Sequence, residues 1–169
     1  MDKIDVITLP SDKWREYKSL RLQSLQEEPG AYGLLYKDAV NYSDHEWIDP
    51  LAQAEKGDNK WIYFARINDE LVGMVSGQII DEDTLKLGEV YVARNMRGGG
   101  LGKRLLSVLL EKAPQENPNI RRAKAKVFTS QEAAIGLYKN LGFEVTETIT
   151  EHWPDGRTNQ TLIMYKSMR

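Results

Sequence analysis

The sequence contains no cysteine, and this absence removes several classes of site at once. Without thiols the chain cannot form disulfides, hold zinc through thiolates or use a cysteine nucleophile. Histidine is almost as scarce, since His45 and His152 are the only two in the chain. They lie far apart, and no His, Asp or Glu cluster has the spacing of metal ligands. We therefore expect no metal.

Long hydrophobic runs and a surplus of one charge are also missing. No apolar stretch approaches the ~18 residues of a membrane span, and the first residues lack the basic-then-apolar order of a signal peptide. The net charge of −2 provides no broad positive field for nucleic acid. The alternating basic residues of segment 121–126 are more typical of one solvated strand face. We expect a cytoplasmic protein that binds neither nucleic acid nor a membrane.

The rest of the composition is that of a folded globular chain. Hydrophobic residues make up 41% and charged residues 28% of the sequence, close to the average for such proteins. The chain has 169 residues, and one domain usually needs ~100–200. It contains no fixed-period repeat and no linker long enough to separate two units. These features predict a single domain over residues 1–169.

Hydrophobic periodicity predicts a mixed α/β sheet. We expect strands near residues 4–9, 61–67, 71–76, 85–93, 122–128, 143–153 and 158–166, the last two joined through Pro154, Asp155 and Gly156. Strands and helices alternate only in the middle of the chain, which indicates a single strand-helix-strand unit.

Four helices are expected between these strands. The first is capped by Ser11 and carries Leu25, and the second begins at Ser43 or Asp44 and runs to Gly57, with Pro50 kinking or interrupting it. The third runs from Leu101 and ends before Pro114. The fourth follows a capping box formed by residues 129–132 and continues to the Gly142 stop.

The strongest local signal lies between a predicted strand and the third predicted helix. It consists of Arg97, Gly98, Gly99, Gly100, Leu101, Gly102 and Lys103. Glycines there let the backbone approach a ligand and take positive φ, while the first N–H groups of the helix point outward. Such groups suit a phosphate or pyrophosphate. The alternative is a plain turn, but three consecutive glycines lose conformational entropy that a simple turn need not lose.

The known nucleotide loops do not fit this segment. A Walker A loop would need glycine at Arg97 and serine or threonine at Arg104. The dinucleotide-binding pattern Gly-x-Gly-x-x-Gly does not match these glycines from any starting position. A nucleotide-binding P-loop module is therefore not supported.

Two separated motifs resemble the GNAT superfamily of acyl-CoA-dependent N-acetyltransferases. The first is Val90-Tyr91-Val92 followed by Arg97-x-x-Gly100-x-Gly102, and the second is Ala134-Ile135-x-Leu137-Tyr138-x-x-Leu141-Gly142-Phe143. The resemblance covers about residues 71–168. Upstream, Arg21-Leu22-x-x-Leu25 and residues 29–33 are similar to the opening helices of many members. The resemblance implies a mixed, mostly antiparallel sheet with a central splayed parallel strand pair, flanked by helices.

The resemblance also implies a cofactor site. It assigns contacts with acetyl-CoA to Val90, Tyr91, Val92, Arg97, Gly98, Gly99, Gly100, Leu101, Gly102, Lys103, Gln131 and Tyr138. The backbone of Val90 and Val92 would pair with the pantetheine amides, and the Val90 N–H could polarise the thioester carbonyl. The amides of residues 98–103 would hold the pyrophosphate. Gln131 stands where the family often has asparagine.

The catalytic roles follow from the same resemblance. The phenol of Tyr138 would protonate the leaving thiolate, and Glu89 would act as general base for the amine, directly or through a water. The alternative for Glu89 is a solvent-facing strand charge, and a second position where some relatives carry glutamate is Lys126 here. Candidates for lining the acceptor pocket are Tyr32, Tyr36 and Trp153.

These features predict an enzyme that transfers acetyl from acetyl-CoA to a primary amine of a small molecule or peptide by direct attack in a ternary complex. The alternative is a non-catalytic acyl-CoA sensor with the same fold. Homodimers are common among similar proteins, so the resemblance allows one here. The sequence does not select the acceptor amine, because net charge reports on association and not on pocket shape.

Overall fold

The computed structural model describes residues 3–153 and 155–168, and its centre is a seven-stranded sheet in the order β1-β2-β3-β4-β5-β7-β6. The strands are β1 Ile4–Ile7, β2 Lys60–Ile67, β3 Glu70–Ile79, β4 Thr84–Val92, β5 Arg122–Phe128, β6 Glu144–His152 and β7 Thr158–Ser167. The helices are α1 Trp14–Glu27, α2 Tyr36–Ala39, α3 Asp44–Lys56, α4 Leu101–Glu116 and α5 Glu132–Asn140.

Helices cover both faces of the first half of the sheet. On one face Tyr17 of α1 packs edge-on against Phe64 of β2 and Trp47 of α3. On the other face α4 lies against β2 and β3, with Leu105 and Leu109 fully buried. Because both faces are covered, residues 61–65 of β2 are buried without alternation.

The parallel strands β4 and β5 separate partway along their length. They pair only at Thr84 with Arg122, Leu85 with Ala123 and Lys86 with Lys124, whereas the other neighbouring strands pair antiparallel. Beyond Lys86 the two strands diverge, although β4 continues to Val92 and β5 to Phe128. The result is an open wedge in the middle of the sheet, as the resemblance to the family implies.

A bulge in β4 sets which side chains point to which face. The register between β3 and β4 shifts between Met74 and Ser76, and Glu89 takes a left-handed φ of 51°. Leu85 packs beside Leu109 on the α4 side, so strict alternation would turn Glu89 toward α4 as well. The bulge turns it instead toward α1.

The proline in α3 does not interrupt that helix, whose predicted bounds are confirmed, and the proline in α4 does not end its helix as the sequence predicts. Pro50 lies inside α3, which begins with the Ser43 capping box and ends at Gly57 in the left-handed conformation. Pro114 lies inside α4, so the prediction that this helix ends before it is wrong. A proline removes one backbone hydrogen bond, and the packing of buried Leu51 and Ala113 on the core outweighs that loss.

Two predicted helix caps do not form. Ser11 opens a short 3₁₀ turn, Ser11–Lys13, and α1 proper begins at Trp14. The capping box at residues 129–132 is also wrong, because α5 begins at Glu132 with no side-chain cap. The backbone N–H of Thr129 donates to Gln160 of β7, so this segment is held by the sheet rather than by the helix. The sequence also gave no signal for the short helix α2.

The closing hairpin is confirmed as β6 and β7, while Pro154 of its predicted turn lies outside the described residues. Among the described residues, none of the helices has the length and apolar character needed to cross a bilayer.

Candidate functional site

A cavity of about 470 Å³ fills the wedge between β4 and β5. Its walls come from α1 and the loop after it, the outer parts of β4 and β5, α5, and the last hairpin. The predicted site residues on this wall are Glu89, Val90, Tyr91, Val92, Arg97, Gly102, Gln131 and Tyr138. The structure therefore brings both sequence motifs to one cavity.

The glycine turn connects β4 to α4 and stays open. Gly98 and Gly100 have φ of 85° and 81°, which favours glycine. Residues 97–100 are exposed, and a Cβ on Gly98 or Gly100 would meet nothing within 4 Å. Gly100 is the N-cap residue of α4. Because glycine has no side chain, nothing at this position accepts a hydrogen bond from the first N–H groups of the helix.

On the edge of β4 that borders the wedge, two backbone carbonyls accept hydrogen bonds from side chains. The hydroxyl of Tyr32 donates to the carbonyl of Val90 at 2.9 Å, and Nε of Arg97 donates to the carbonyl of Val92 at 2.9 Å. These carbonyls therefore face the wedge and not β3. Each carbonyl oxygen has a second lone pair, which leaves room for a ligand donor.

Arg97 and Tyr91 connect this strand to α1 and the loop after it. The Arg97 guanidinium forms an ion pair with Glu28 as well as its bond to Val92, so it lies along the strand edge rather than over the glycine turn. The Tyr91 side chain is buried, accepts from Gln23 and donates to Glu27. The Tyr91 hydroxyl is thus held by α1, while the residue lines the cavity.

Glu89 faces the cavity, and its carboxylate is oriented by a buried tyrosine. The hydroxyl of Tyr17 donates to both carboxylate oxygens at 3.0 Å. Burial raises the pKa of Tyr17 well above its ordinary value, and the negative charge of Glu89 raises it further. Tyr17 therefore keeps its proton and donates it in this hydrogen bond.

Tyr138 lies on the opposite wall, on α5. Its ring is buried and packs edge-on against Phe143, with ring centroids 5.4 Å apart. Burial raises the pKa of the Tyr138 phenol well above 10.0, so the group is a neutral proton donor. Gln131 and Leu137 line the same wall.

Two of the three aromatic residues that were predicted to line an acceptor pocket lie in the cavity wall. Tyr32 and Trp153 line the cavity, and Trp153 packs edge-on against Phe128 and over Gly33. Tyr36 is 37% exposed on α2 and is not part of the wall. Its prediction as a lining residue is wrong, because its side chain lies at the surface on α2.

Lys126 forms an ion pair with Glu151 of β6 at 2.9 Å, and both line the cavity. This hydrogen bond holds the pKa of Glu151 below its usual range. Position 126, where some relatives carry glutamate, therefore has a lysine whose neighbouring carboxylate is Glu151 of β6, and this carboxylate is already paired.

Sequence reasoning did not place Arg21 and Glu28 in the cavity wall. It also did not show that Tyr17, a buried core residue, binds Glu89 through its hydroxyl. Arg21 entered the prediction only as part of a motif. A signal was present, because Arg21 falls on the same helical stripe as Tyr17, Leu20 and Leu25, all buried. A charged residue on a buried stripe indicates a polar site.

The class of protein follows from a family comparison. The model of the acetyltransferase (GNAT) family matches residues 20–143, more than half of the chain, so this chain belongs to that family. The predicted family membership is confirmed.

Particular relatives are similar over part of their length. The L-2,4-diaminobutyric acid acetyltransferase of Marinococcus halophilus is 37% identical over 107 residues, which are 58% of this chain and 61% of that protein. The L-methionine sulfoximine/L-methionine sulfone acetyltransferase of Pseudomonas aeruginosa is 39% identical over 57 residues, 34% of this chain and 32% of that protein. The matches span at most about three fifths of these curated relatives.

Solved structures share the fold over nearly the whole chain. An acetyltransferase of the GNAT family from Streptococcus pneumoniae superposes with a TM-score of 0.86 at 19% identity, covering 98% of this chain and 99% of that chain. The yncA protein of Salmonella typhimurium, solved with its cofactor acetyl-CoA, gives 0.82 at 17% identity over 99% and 95% of the two chains. The predicted fold class is confirmed.

Proposed function

We propose that this protein transfers the acetyl group of acetyl-CoA to a primary amine, with both substrates bound in the wedge at once. The observation that carries the proposal is the wedge itself, which has an open glycine turn at one end and the Glu89 carboxylate at the other. Membership in the acetyltransferase family and the acetyl-CoA-bound structural neighbour support it.

The chain's own groups fit the cofactor in three places. Backbone N–H groups of residues 98–103 would hold the diphosphate, because Gly98, Gly99 and Gly100 are exposed and the dipole of α4 favours an anion. The wedge-facing backbone of Val90 and Val92 would pair with the pantetheine amides. Gln131 and the backbone of Tyr91 would add contacts along the wall.

The two proton transfers would occur at opposite walls of the wedge. As the amine nitrogen bonds to the acetyl carbon, its proton passes to Glu89, directly or through a water. As the carbon–sulfur bond breaks, the thiolate takes the proton of the Tyr138 phenol, which burial keeps protonated. The backbone N–H of Val90 would stabilise charge on the acetyl oxygen.

Calorimetric titration with acetyl-CoA and an assay for free thiol test the proposal together. The acceptors are the common L-amino acids, L-2,4-diaminobutyrate, L-methionine sulfone, each matching carboxamide, spermidine, 1,3-diaminopropane and peptide N-termini. The two less common amino acids are included because the curated relatives are named for them.

We expect saturable binding of acetyl-CoA and amine-dependent release of thiol. Absence of saturable binding would contradict the proposal entirely. Tight binding with no thiol release from any acceptor would instead favour the acyl-CoA sensor.

A further inference from the structure

Arg21 places a buried guanidinium in the wall of the cavity. The residue is only 6% exposed, yet it lines the cavity from α1. Its Nη1 donates to the hydroxyl of Ser24 at 3.2 Å, and its guanidinium carbon lies 4.5 Å from the ring centroid of Tyr32. The stacked ring and the serine hold the guanidinium in a fixed position.

No carboxylate of the described residues forms an ion pair with this guanidinium. The two carboxylates on the same side of the cavity have other partners. Glu28 is bound by Arg97 and by the hydroxyl of Tyr32, and Glu89 is bound by Tyr17. A buried charge normally has a partner of opposite sign, because its desolvation is otherwise uncompensated. Arg21 therefore has donors to offer to a ligand.

The position of Arg21 relative to Glu89 limits what that ligand can be. Arg21 follows Tyr17 by four residues on α1, so their side chains are neighbours on one face of the helix, one turn of about 5.4 Å apart. Tyr17 is hydrogen-bonded to Glu89. The carboxylate that would receive the amine and the guanidinium thus lie beside adjacent turns of α1, in the wall of one cavity.

Resting on the proposed function, we propose that the acceptor is an amine that carries a carboxylate a few atoms from the reacting nitrogen, and that Arg21 binds this carboxylate. The planar fork of arginine matches the two oxygens of a carboxylate. Free amino acids have this chemistry, whereas polyamines and internal lysines of proteins lack it. Arg21 is therefore a specificity residue, and Glu89 serves the amine.

The first test uses the unaltered protein and compares each acid with its own carboxamide. The amide keeps the shape of the acid and removes the charge that Arg21 would bind. We expect the best acceptor to be an amino acid, with kcat/KM at least about tenfold above its amide, as expected for a charged hydrogen-bonded pair. A best acceptor without a carboxylate, or equal rates for acid and amide, would overturn the proposal about Arg21 and leave the acetyl transfer intact.

Substitutions of Arg21 test whether this residue causes the preference for the acid over its carboxamide. Arg21→Met removes the charge but keeps an unbranched side chain that can pack on Tyr32, and we expect it to abolish the preference for the acid mainly through KM. Arg21→Lys should retain part of it. Arg15→Met is the matched control, because Arg15 also lies on α1 and stacks on an aromatic ring, Trp14, but is exposed and outside the cavity wall.

A binding measurement separates this proposal from the proposed function. Each acid and its amide are titrated calorimetrically into the complex of the protein with CoA, which cannot react. If no acceptor is turned over, preferential binding of the acid that is lost in Arg21→Met still supports a carboxylate site. Equal affinity for acid and amide, or no binding of any acid, contradicts it. Unchanged CoA affinity shows that the variant is folded.

Discussion

Glu89 combines an unusual backbone conformation with a proposed catalytic role. It is one of the few non-glycine residues of the described chain with positive φ, and the bulge that requires this conformation also turns its carboxylate into the cavity. Strained positions of this kind cluster at functional sites, where surrounding structure holds them in place. The sequence could nominate Glu89 but not its direction, because alternation fails at a bulge.

Glu89→Gln should remove the proposed base while keeping a similar shape that Tyr17 can still bond. We expect kcat/KM with the best amine to fall by about 10²-fold or more near neutral pH, a typical contribution of general base catalysis. Glu144→Gln is the control, because Glu144 is exposed on β6 and outside the cavity wall. Full activity of Glu89→Gln would assign proton removal to another group.

Tyr138→Phe should slow thiol release by about 10²-fold and change the affinity for CoA by less than about twofold, since only the hydroxyl is lost. Burial raises the pKa of Tyr138, and a proton donor stops working only above its pKa. The pH profile of kcat should therefore show no fall due to Tyr138 between about pH 7 and 10. Equal losses in release and binding would indicate a packing role.

At the scale of elements, the separation of β4 from β5 decides what the fold can bind. Hydrophobic patterns predicted every strand of the sheet. In most strands this pattern matches the burial, whereas β6 is predicted by its alternating apolar residues although nearly all of it is exposed. Hydrophobic patterns could not show that the parallel pair stays together for only three residue pairs, from Thr84 to Lys86 on β4. That information came from the resemblance to a family.

The prolines show a second limit of local reasoning. Pro50 and Pro114 are strong local signals, yet both lie within helices. Their neighbours on the buried face pack onto the sheet, and this tertiary energy outweighs one missing hydrogen bond. Local patterns therefore located the helices well but misplaced one helix end.

The turn between β4 and α4 should require glycine at position 100. Gly100→Ala would place a side chain in the left-handed region, at a cost of roughly 1–2 kcal/mol, and the backbone would relax away from its present geometry. We expect CoA affinity to fall about tenfold by calorimetry. Gly57→Ala is the control, because Gly57 has a closely similar backbone conformation, with φ of 70°, and lies at the end of α3, away from the wedge.

This control should lose comparable stability and keep its affinity for CoA. If both variants bind CoA as the unaltered protein does, the amides of this turn do not hold the diphosphate.

The packing of α4 on the sheet should also depend on a glycine. A Cβ on Gly77 would lie 2.9 Å from Leu85 Cδ1 and 3.1 Å from Leu109 Cδ1. We expect Gly77→Ala to reduce the free energy of unfolding by about 1–3 kcal/mol through overpacking, measured by urea denaturation. Gly136→Ala, on the exposed side of α5 with open space around it, should instead stabilise by about 0.5–1 kcal/mol.

At the scale of the whole molecule, residues far apart in the chain converge on one wedge. The loop after α1 contributes Tyr32, β4 contributes Glu89, α5 contributes Tyr138, and the last hairpin contributes Trp153. The sequence pointed to the wall residues on β4 and α5, because these residues carry the two motifs. It did not show that Tyr17 binds Glu89 or that Arg21 lines the cavity, because α1 meets this part of the molecule only after the chain has folded.

The central claim is that this wedge holds acetyl-CoA with its diphosphate at the glycine turn and its thioester between Glu89 and Tyr138. A crystal structure of the complex tests it most directly. We predict diphosphate oxygens accepting hydrogen bonds from the main-chain N–H groups of residues 98–103, with the sulfur beside the Tyr138 hydroxyl. Density that places the diphosphate elsewhere, or the sulfur away from Tyr138, would contradict the account.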